Sequence, residues 1–382
     1  MFKHVISSII IGCTFWACES SPTTAQQTQP PKTGTGIPVD YSAGRAMNAI
    51  LGRGINLGNA WESSGNECHS DDCWENPIRD TDFAIIKAAG FNSVRIPVQW
   101  SQDADPITHN VNPTRLQGVM EDISLAIANG LAVVVNFHHY FQINCYAGGY
   151  SDRGCQYNAE KFEAELAHFL GMWTHVATAL NVFPDNMLVF EILNEPTLTS
   201  TERLNRIMNE AYKVIRAVAP GKTIMFESNL YAKFYAIEKL NLPQDGNIIF
   251  SGHYYEPYQY SHQGHSDQYS CIGDAAQKNT AKSDLRYYVG LAYSYYPDVN
   301  GIDQVPLNMG EFGISGGDAD VKCGATHPSN EGKAEWAKMT AKAAIDYGIS
   351  FHYWGFGATG GFDAFNIYTD TWYPGFPEAL IF

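Results

Sequence analysis

Met187-Leu188-Val189-Phe190-Glu191-Ile192-Leu193-Asn194-Glu195-Pro196 decides how this chain folds. A short, mostly apolar run of this length has the size of a buried strand, and it ends on polar Asn194 and Glu195. The same order recurs at Val305-Pro306-Leu307-Asn308-Met309-Gly310, which runs into Glu311. Working outward from Met187 to Ile192 and Pro306 to Met309, further candidate strands are Arg53 to Leu57, Ser93 to Ile96, Ala132 to Phe137, Thr223 to Phe226, Ile248 to Ser251 and Ile349 to Trp354. Helical stretches lie between them: Asp80 to Ala89, Arg115 to Asn129, Ala159 to Leu180, Arg203 to Val218 and Gly332 to Tyr347. Gly90, Gly130 and Gly348 each follow a helical stretch and precede a strand, as helix ends require. Strand-helix units without a sustained hairpin pattern predict an α/β fold, a closed parallel (β/α)8 TIM barrel forming a single domain with loop insertions. An open doubly wound sheet is the rival, and no glycine-rich phosphate loop opens its first helix. Only Pro374 to Phe382 remain for the last unit, so its closing helix must be short.

The 382 residues are 45% hydrophobic and 17% charged, ample material for one large core. A formal net charge of −16 opposes binding to phosphate backbones and adsorption to anionic membranes, so no nucleic-acid partner is expected. Aromatic residues make up 13% of the chain; surplus Trp and Tyr can line a sugar groove or fill the core.

Met1-Phe2-Lys3-His4 followed by Val5-Ile6-Ser7-Ser8-Ile9-Ile10-Ile11-Gly12 is a basic segment before an apolar one, too short for a membrane span and suited to an export signal over residues 1–17. Cleavage before Cys18, after Phe15-Trp16-Ala17, resembles a bacterial lipoprotein site whose cysteine is acylated; Cys13 and the stretch Thr23-Thr24-Ala25 offer alternatives. The expected location is the bacterial cell envelope or surface, held by a lipid anchor, or otherwise the medium. Residues 18–40 are rich in Ser, Thr, Gln and Pro and read as a disordered tether, and residues 41–382 as the folded domain, a monomer. Removing Cys13 and lipidating Cys18 leaves Cys68, Cys73, Cys145, Cys155, Cys271 and Cys323, an even number that suits an oxidising compartment. Local pairs Cys68/Cys73 and Cys145/Cys155 with Cys271/Cys323 would each stiffen a loop, although sequence alone does not fix the connectivity.

Active sites of barrel enzymes form at the C-terminal ends of the strands, and each strand here ends in reactive residues. Two carboxyls at the ends of different strands suit glycosidic-bond hydrolysis, one to protonate the leaving oxygen and one to attack the sugar carbon. Arg53-Gly54-Ile55-Asn56-Leu57-Gly58-Asn59, Val94-Arg95-Ile96-Pro97, Asn136-Phe137-His138-His139, Leu193-Asn194-Glu195-Pro196, His253-Tyr254-Tyr255, Gly310-Glu311-Phe312-Gly313 and Tyr353-Trp354 together resemble glycoside hydrolase family 5, which contains many endo-β-1,4-glucanases. A single Asn-Glu-Pro carries little weight; seven motifs in family order, spanning nearly everything from Arg53 to Trp354, carry much more.

The resemblance implies a retaining double displacement on a β-linked polysaccharide or oligosaccharide, with Glu195 as acid/base and Glu311 as nucleophile. Retention needs carboxyls about 5 Å apart, with Glu311 ionised and Glu195 protonated at the start. Arg95 would hold Glu311 ionised, and Asn194 would bond the sugar 2-hydroxyl. By the same resemblance Tyr255 bonds the nucleophile, His253 supports the acid/base, His138 binds the reacting sugar and Trp354 is its stacking platform. His139, Asn59 and Trp61 are further candidate sugar contacts, and Trp100 and the Tyr254/Tyr258/Tyr260 cluster candidate distal ones. His138 and His139, as neighbours on a strand, should point to opposite faces and share no ion, so no metal and no cofactor are expected. Mannanases, xyloglucanases and mixed-linkage glucanases share the catalytic residues and remain alternatives to a β-1,4-glucanase. A non-catalytic surface glycan-binding lipoprotein is the alternative of another class.

Overall fold

The computed structural model describes residues 36–65, 68–149, 155–264, 270–274, 279–316, 323, 328–357 and 359–382. The expected signal segment, residues 1–17, and the tether from Cys18 to residue 35 lie outside the described residues. Residues 36–40, read from sequence as the end of the tether, instead lie on the folded domain. Gly36 N–H donates to Ser294 O at 3.0 Å, and Val39 bridges to Asp298.

Eight parallel strands close into a barrel in chain order: β1 (Arg53–Asn56), β2 (Ser93–Ile96), β3 (Ala132–Asn136), β4 (Leu188–Glu191), β5 (Thr223–Glu227), β6 (Ile248–Tyr254), β7 (Leu307–Phe312) and β8 (Ser350–Tyr353), which pairs back onto β1. The helices are α1 (Ser42–Leu51), α2 (Asp80–Ala89), α3 (Pro113–Ala128), α4 (Phe141–Tyr146), α5 (Ala159–Leu180), α6 (Thr201–Val218), α7 (Asn229–Ala232), α8 (Tyr258–Ser261), α9 (Ala281–Tyr295) and α10 (Asn330–Asp346). The expected strands and helices are present with ends shifted by one or two residues, except that β6 and β7 each run three residues further. The reading from sequence ended them at Ser251 and Met309, each before a glycine, whereas the strands continue through His253 and Glu311 because the barrel interior accepts polar side chains. Sequence reading also passed over α1 and α9. The short closing helix is absent: an antiparallel hairpin, β9 (Phe365–Asn366) with β10 (Thr371–Trp372), leads into turns that bury Phe376 and Leu380.

Alternation along each strand divides the core into two layers. Outward residues such as Ile55, Val94, Val133, Phe190, Phe226, Phe250, Met309 and Phe351 pack against the helices. A smaller interior cluster joins Ala132, Val134, Val189, Met225 and Ile249 to Met47 and Leu51 of α1, which closes the N-terminal end of the barrel. Towards the C-terminal end the interior becomes polar and charged, with Asn56, Arg95, Asn136, Glu191, Glu227, Ser251, His253 and Asn308 all buried. A bulge directs one further carboxyl, that of Glu311, inward. Gly252 pairs with Met309, but the next pair is His253 with Glu311, leaving Gly310 unmatched. That extra residue reverses the alternation after outward Met309, so Glu311 points into the barrel rather than at the helices. A side chain at Gly310 would meet Ser251 Oγ at 2.7 Å, which is why the extra residue has none.

Candidate active site

Arg95, fully buried on β2, organises the mouth of the barrel. Its Nε and Nη2 each donate to one oxygen of Glu191 at 2.8 Å, Nη1 donates to Asn56 Oδ1 and to Glu311 Oε1 at 2.9 Å, and Nη2 also donates to Asn194 Oδ1 at 2.5 Å. Burial works against a charged guanidinium, but Glu191, Glu311 and Glu227 outweigh it and hold Arg95 more firmly protonated than usual. Tyr255 completes the grip on Glu311, its hydroxyl donating to Oε2 at 2.9 Å. Burial and the Glu311 charge push that phenol well up, so it remains a donor.

Glu195 follows β4 in a left-handed conformation, φ 47°, rare for a residue with a side chain. Its Oε1 lies 2.7 Å from His253 Nδ1, which is also 3.5 Å from Glu311 Oε2. Carboxylate oxygens of Glu195 and Glu311 fall within 4.8 Å of one another. That is the spacing of a nucleophile and an acid/base on one glycosidic bond, too close to seat a water between them as inversion requires. Burial raises the Glu195 carboxyl, but the hydrogen bond and charge of His253 outweigh it and bring it below the usual range. His253, against the pull of burial, is raised well above an ordinary imidazole by Glu311, Glu227 and Glu195. Glu195 and His253 thus share a 2.7 Å hydrogen bond and titrate as a pair.

Around these groups lie the sugar-binding candidates. Asn194 spends Oδ1 on Arg95, and its buried Nδ2 has no hydrogen-bond partner among the described residues. Asn136 Nδ2 lies 3.3 Å from His138 Nδ1, which leaves Nε2 as the donor of a ring that burial keeps neutral. The His138 ring lies parallel to Trp354, centroids 6.0 Å apart, and a Cβ at Gly58 would sit 2.6 Å from that indole. His139 is exposed with φ 56°, because the chain has left the strand. The expected opposite facing of His138 and His139 is thus corrected: their rings touch edge to face at 4.1 Å. Asn59 adopts φ 61°, its N–H held by the Glu62 carboxylate.

Trp61 departs from expectation. It is buried, its Nε1 donating to Asp122 Oδ2 of α3 at 2.6 Å, so it packs beneath the loop and presents no face to a sugar. Trp100, Tyr254 and Tyr260 are likewise buried, with Trp100 Nε1 bonded to Asn136 O and Tyr254 OH to Asp284; only Tyr258 of the distal candidates is exposed. Disulfides join Cys68–Cys73, Cys145–Cys155 and Cys271–Cys323. All three lie in loops that follow strands, the third linking the loops after β6 and β7.

Sequence reasoning gave no role to Asn56, Glu191 or Glu227. A carboxylate inside an apolar run was the available signal, since a buried charge needs a partner. Glu191 meets Arg95, and Asn56 bridges Arg95 to the backbone of β7 and β8 through Gly310 O and His352 O. Among the described residues two triads bring ligand-type atoms close enough for a cation, Glu191/Glu227/His253 and Glu195/His253/Glu311. Neither fits one well, because Arg95 already occupies both oxygens of Glu191 and one of Glu311 and puts a positive charge beside each set.

A barrel whose open end brings two carboxyls to one imidazole, with a guanidinium and a phenol fixing the second, is built as a glycoside hydrolase. The chain belongs to glycosyl hydrolase family 5, whose Cellulase model matches residues 55–360. It is 21% identical over 315 residues to endoglucanase H of Acetivibrio thermocellus, covering 82% of this chain and 30% of that protein. With the xyloglucan-specific endo-beta-1,4-glucanase BoGH5A of Bacteroides ovatus it shares 24% identity, over 70% of this chain and 56% of the relative. The chain thus spans less than two thirds of either relative's length. Structures of Thermotoga maritima Cel5A in complex with mannotriose and with cellobiose are 29% identical, with a TM-score of 0.72, covering 88% of this chain and 100% of theirs.

Proposed function

We propose that this protein is a retaining endo-β-1,4-glucanase that cuts internal bonds of β-glucans by double displacement. The approach of Glu195 and Glu311 oxygens to within 4.8 Å carries the reading. In the first step a Glu311 oxygen bonds to the anomeric carbon as the bond to the leaving oxygen breaks, and that oxygen takes the proton of Glu195, whose Oε1 lies 2.7 Å from His253 Nδ1. In the second, Glu195 removes a proton from water, which displaces Glu311 from the sugar. Arg95 and Tyr255 keep the nucleophile ionised and oriented, and Asn194 Nδ2 offers its free hydrogens to the 2-hydroxyl, a contact that strengthens as charge develops. Trp354 stacks under the reacting ring while His138 Nε2 donates to it.

The endoglucanase relatives favour glucan; the xyloglucan-specific relative and the mannotriose complex make xyloglucan and mannan the polymers to test beside it. Release of reducing ends from soluble β-glucan, mixed-linkage glucan, xyloglucan and mannan is expected chiefly on glucan, and Glu311→Ala should lower it by more than about 10³-fold. Tight binding to a glycan with no new reducing ends would instead support the non-catalytic reading.

The proposal extends to location: an exported monomer held by acylated Cys18 at the cell envelope. The signal-like N-terminus and three joined disulfides support it. No helix among the described residues is long and apolar enough to cross a membrane. Cys18→Ala should move the protein from the membrane fraction to the soluble one.

A further inference from the structure

Glu227 ends β5, fully buried, and takes no part in the displacement described above. It nevertheless touches the acid/base by two routes. Its Oε2 accepts the backbone N–H of Glu195 at 2.6 Å, the residue whose left-handed φ of 47° has to be held in place. Its Oε1 lies 3.0 Å from His253 Nε2, and the opposite nitrogen of that ring contacts Glu195 Oε1. By hydrogen-bond geometry neither His253 Nε2 nor Glu227 Oε1 has a partner among the described residues, and their 3.0 Å approach is an ion-pair contact. Arg95 Nη2 is more distant, 3.7 Å from Oε1, and is already committed to Glu191 and Asn194.

We infer that Glu227 is a positioning residue for the acid/base: one carboxyl fixes Glu195 by its main chain and, through His253, by its side chain. This rests on the hydrolase reading and goes beyond it. A carboxyl that only neutralised Arg95 would need no contact with Glu195. Here the same group determines where the Glu195 peptide lies and which way the His253 ring turns, hence where the proton donor points. Burial, against the charge of His253, pushes the Glu227 carboxyl well up, which accounts for a fourth carboxyl in so small a space.

A leaving-group comparison tests this. An activated aryl cellobioside, such as the 2,4-dinitrophenyl glycoside, expels its phenolate without protonation, whereas cellotetraose needs the acid. Glu227→Gln keeps the acceptor for Glu195 N–H but puts an amide against His253 Nε2; Glu227→Asp keeps the carboxyl and withdraws it by one methylene. Each should lower kcat/KM on cellotetraose by about 10- to 100-fold, as loss of a supporting partner does, and on the activated glycoside by less than about 3-fold. In a Glu195→Gln background, Glu227→Gln should add nothing to the loss on cellotetraose. Equal losses on both substrates, no loss on either, or a further loss in the Glu195→Gln background would overturn the inference while leaving the hydrolase reading intact. Wild-type protein inert on both substrates would sink the hydrolase reading itself, and the inference with it.

Discussion

Asp122 sits on the third helix, with its Oδ2 accepting the Trp61 indole at 2.6 Å, and burial pushes its carboxyl up to about 7. The unfolded chain ionises this group near pH 4, so between about pH 4 and 7 the folded state binds the extra proton and stability falls as pH rises, levelling off above about 7. Asp122→Asn keeps an acceptor for the indole and removes the ionisation. It should leave stability at pH 4 unchanged and raise it at pH 8 by on the order of 1–3 kcal/mol, read from urea midpoints at the two pH values. An equal change at both pH values would show that packing, not ionisation, governs the site. The same pair shows what a sequence reveals at this scale. Glu195, Glu311, Arg95 and Tyr255 were legible because each must lie at a strand end and each has one chemical use there. Trp61 also follows a strand, but the direction of an indole depends on the loop that carries it, and its partner Asp122 is 61 residues away.

Among the elements, α1 does what the barrel strands cannot do for themselves. Their interior is charged at one end, so something apolar must close the other, and Met47 and Leu51 pack there against Val134, Val189, Met225 and Ile249. The helix is pinned by Asn48, which takes the Ser350 hydroxyl at 2.6 Å and donates to Gly348 O. Leu51→Ala should therefore cost about 2–5 kcal/mol in denaturant unfolding, the range for a buried leucine, while kcat of the folded fraction stays within about 2-fold because the site lies at the opposite end. A fall in kcat at full folding would show that the plug also sets the site's geometry. Sequence reading missed α1 because its residues directly follow a polar stretch and no expected strand precedes them. It found β3, β4 and β5 because apolar side chains on both faces make an unbroken run. It ended β6 at Ser251 and β7 at Met309, short of His253 and Glu311, an imidazole and a carboxyl at interior positions that a hydrophobic pattern cannot show. The bulge at Gly310 was likewise invisible, because only the pairing of two strands reveals which residue is extra.

For the whole molecule, the two ends of the barrel have separate tasks. The C-terminal end holds the carboxyls, the platform indole and the loops joined by all three disulfides. The N-terminal end holds α1 and the first described residues: Val39 bridges to Asp298 and Gly36 bonds Ser294, both in the segment where α9 turns down before β7 begins. The chain therefore enters the domain on the face opposite the groove. An anchor at Cys18 would leave the groove facing away from the surface that holds it, which suits an enzyme acting on polymers outside a cell. With a net charge of −16 the domain is also repelled by an anionic surface, so attachment should not lay the groove against it. Coupling the protein to beads or liposomes through its N-terminal segment should then leave kcat/KM on a short soluble oligosaccharide within about 2-fold of the free protein at physiological salt. A loss of about 10-fold or more, restored by releasing the protein from the surface, would mean that attachment occludes the groove and that the two ends of the barrel do not divide the work in this way.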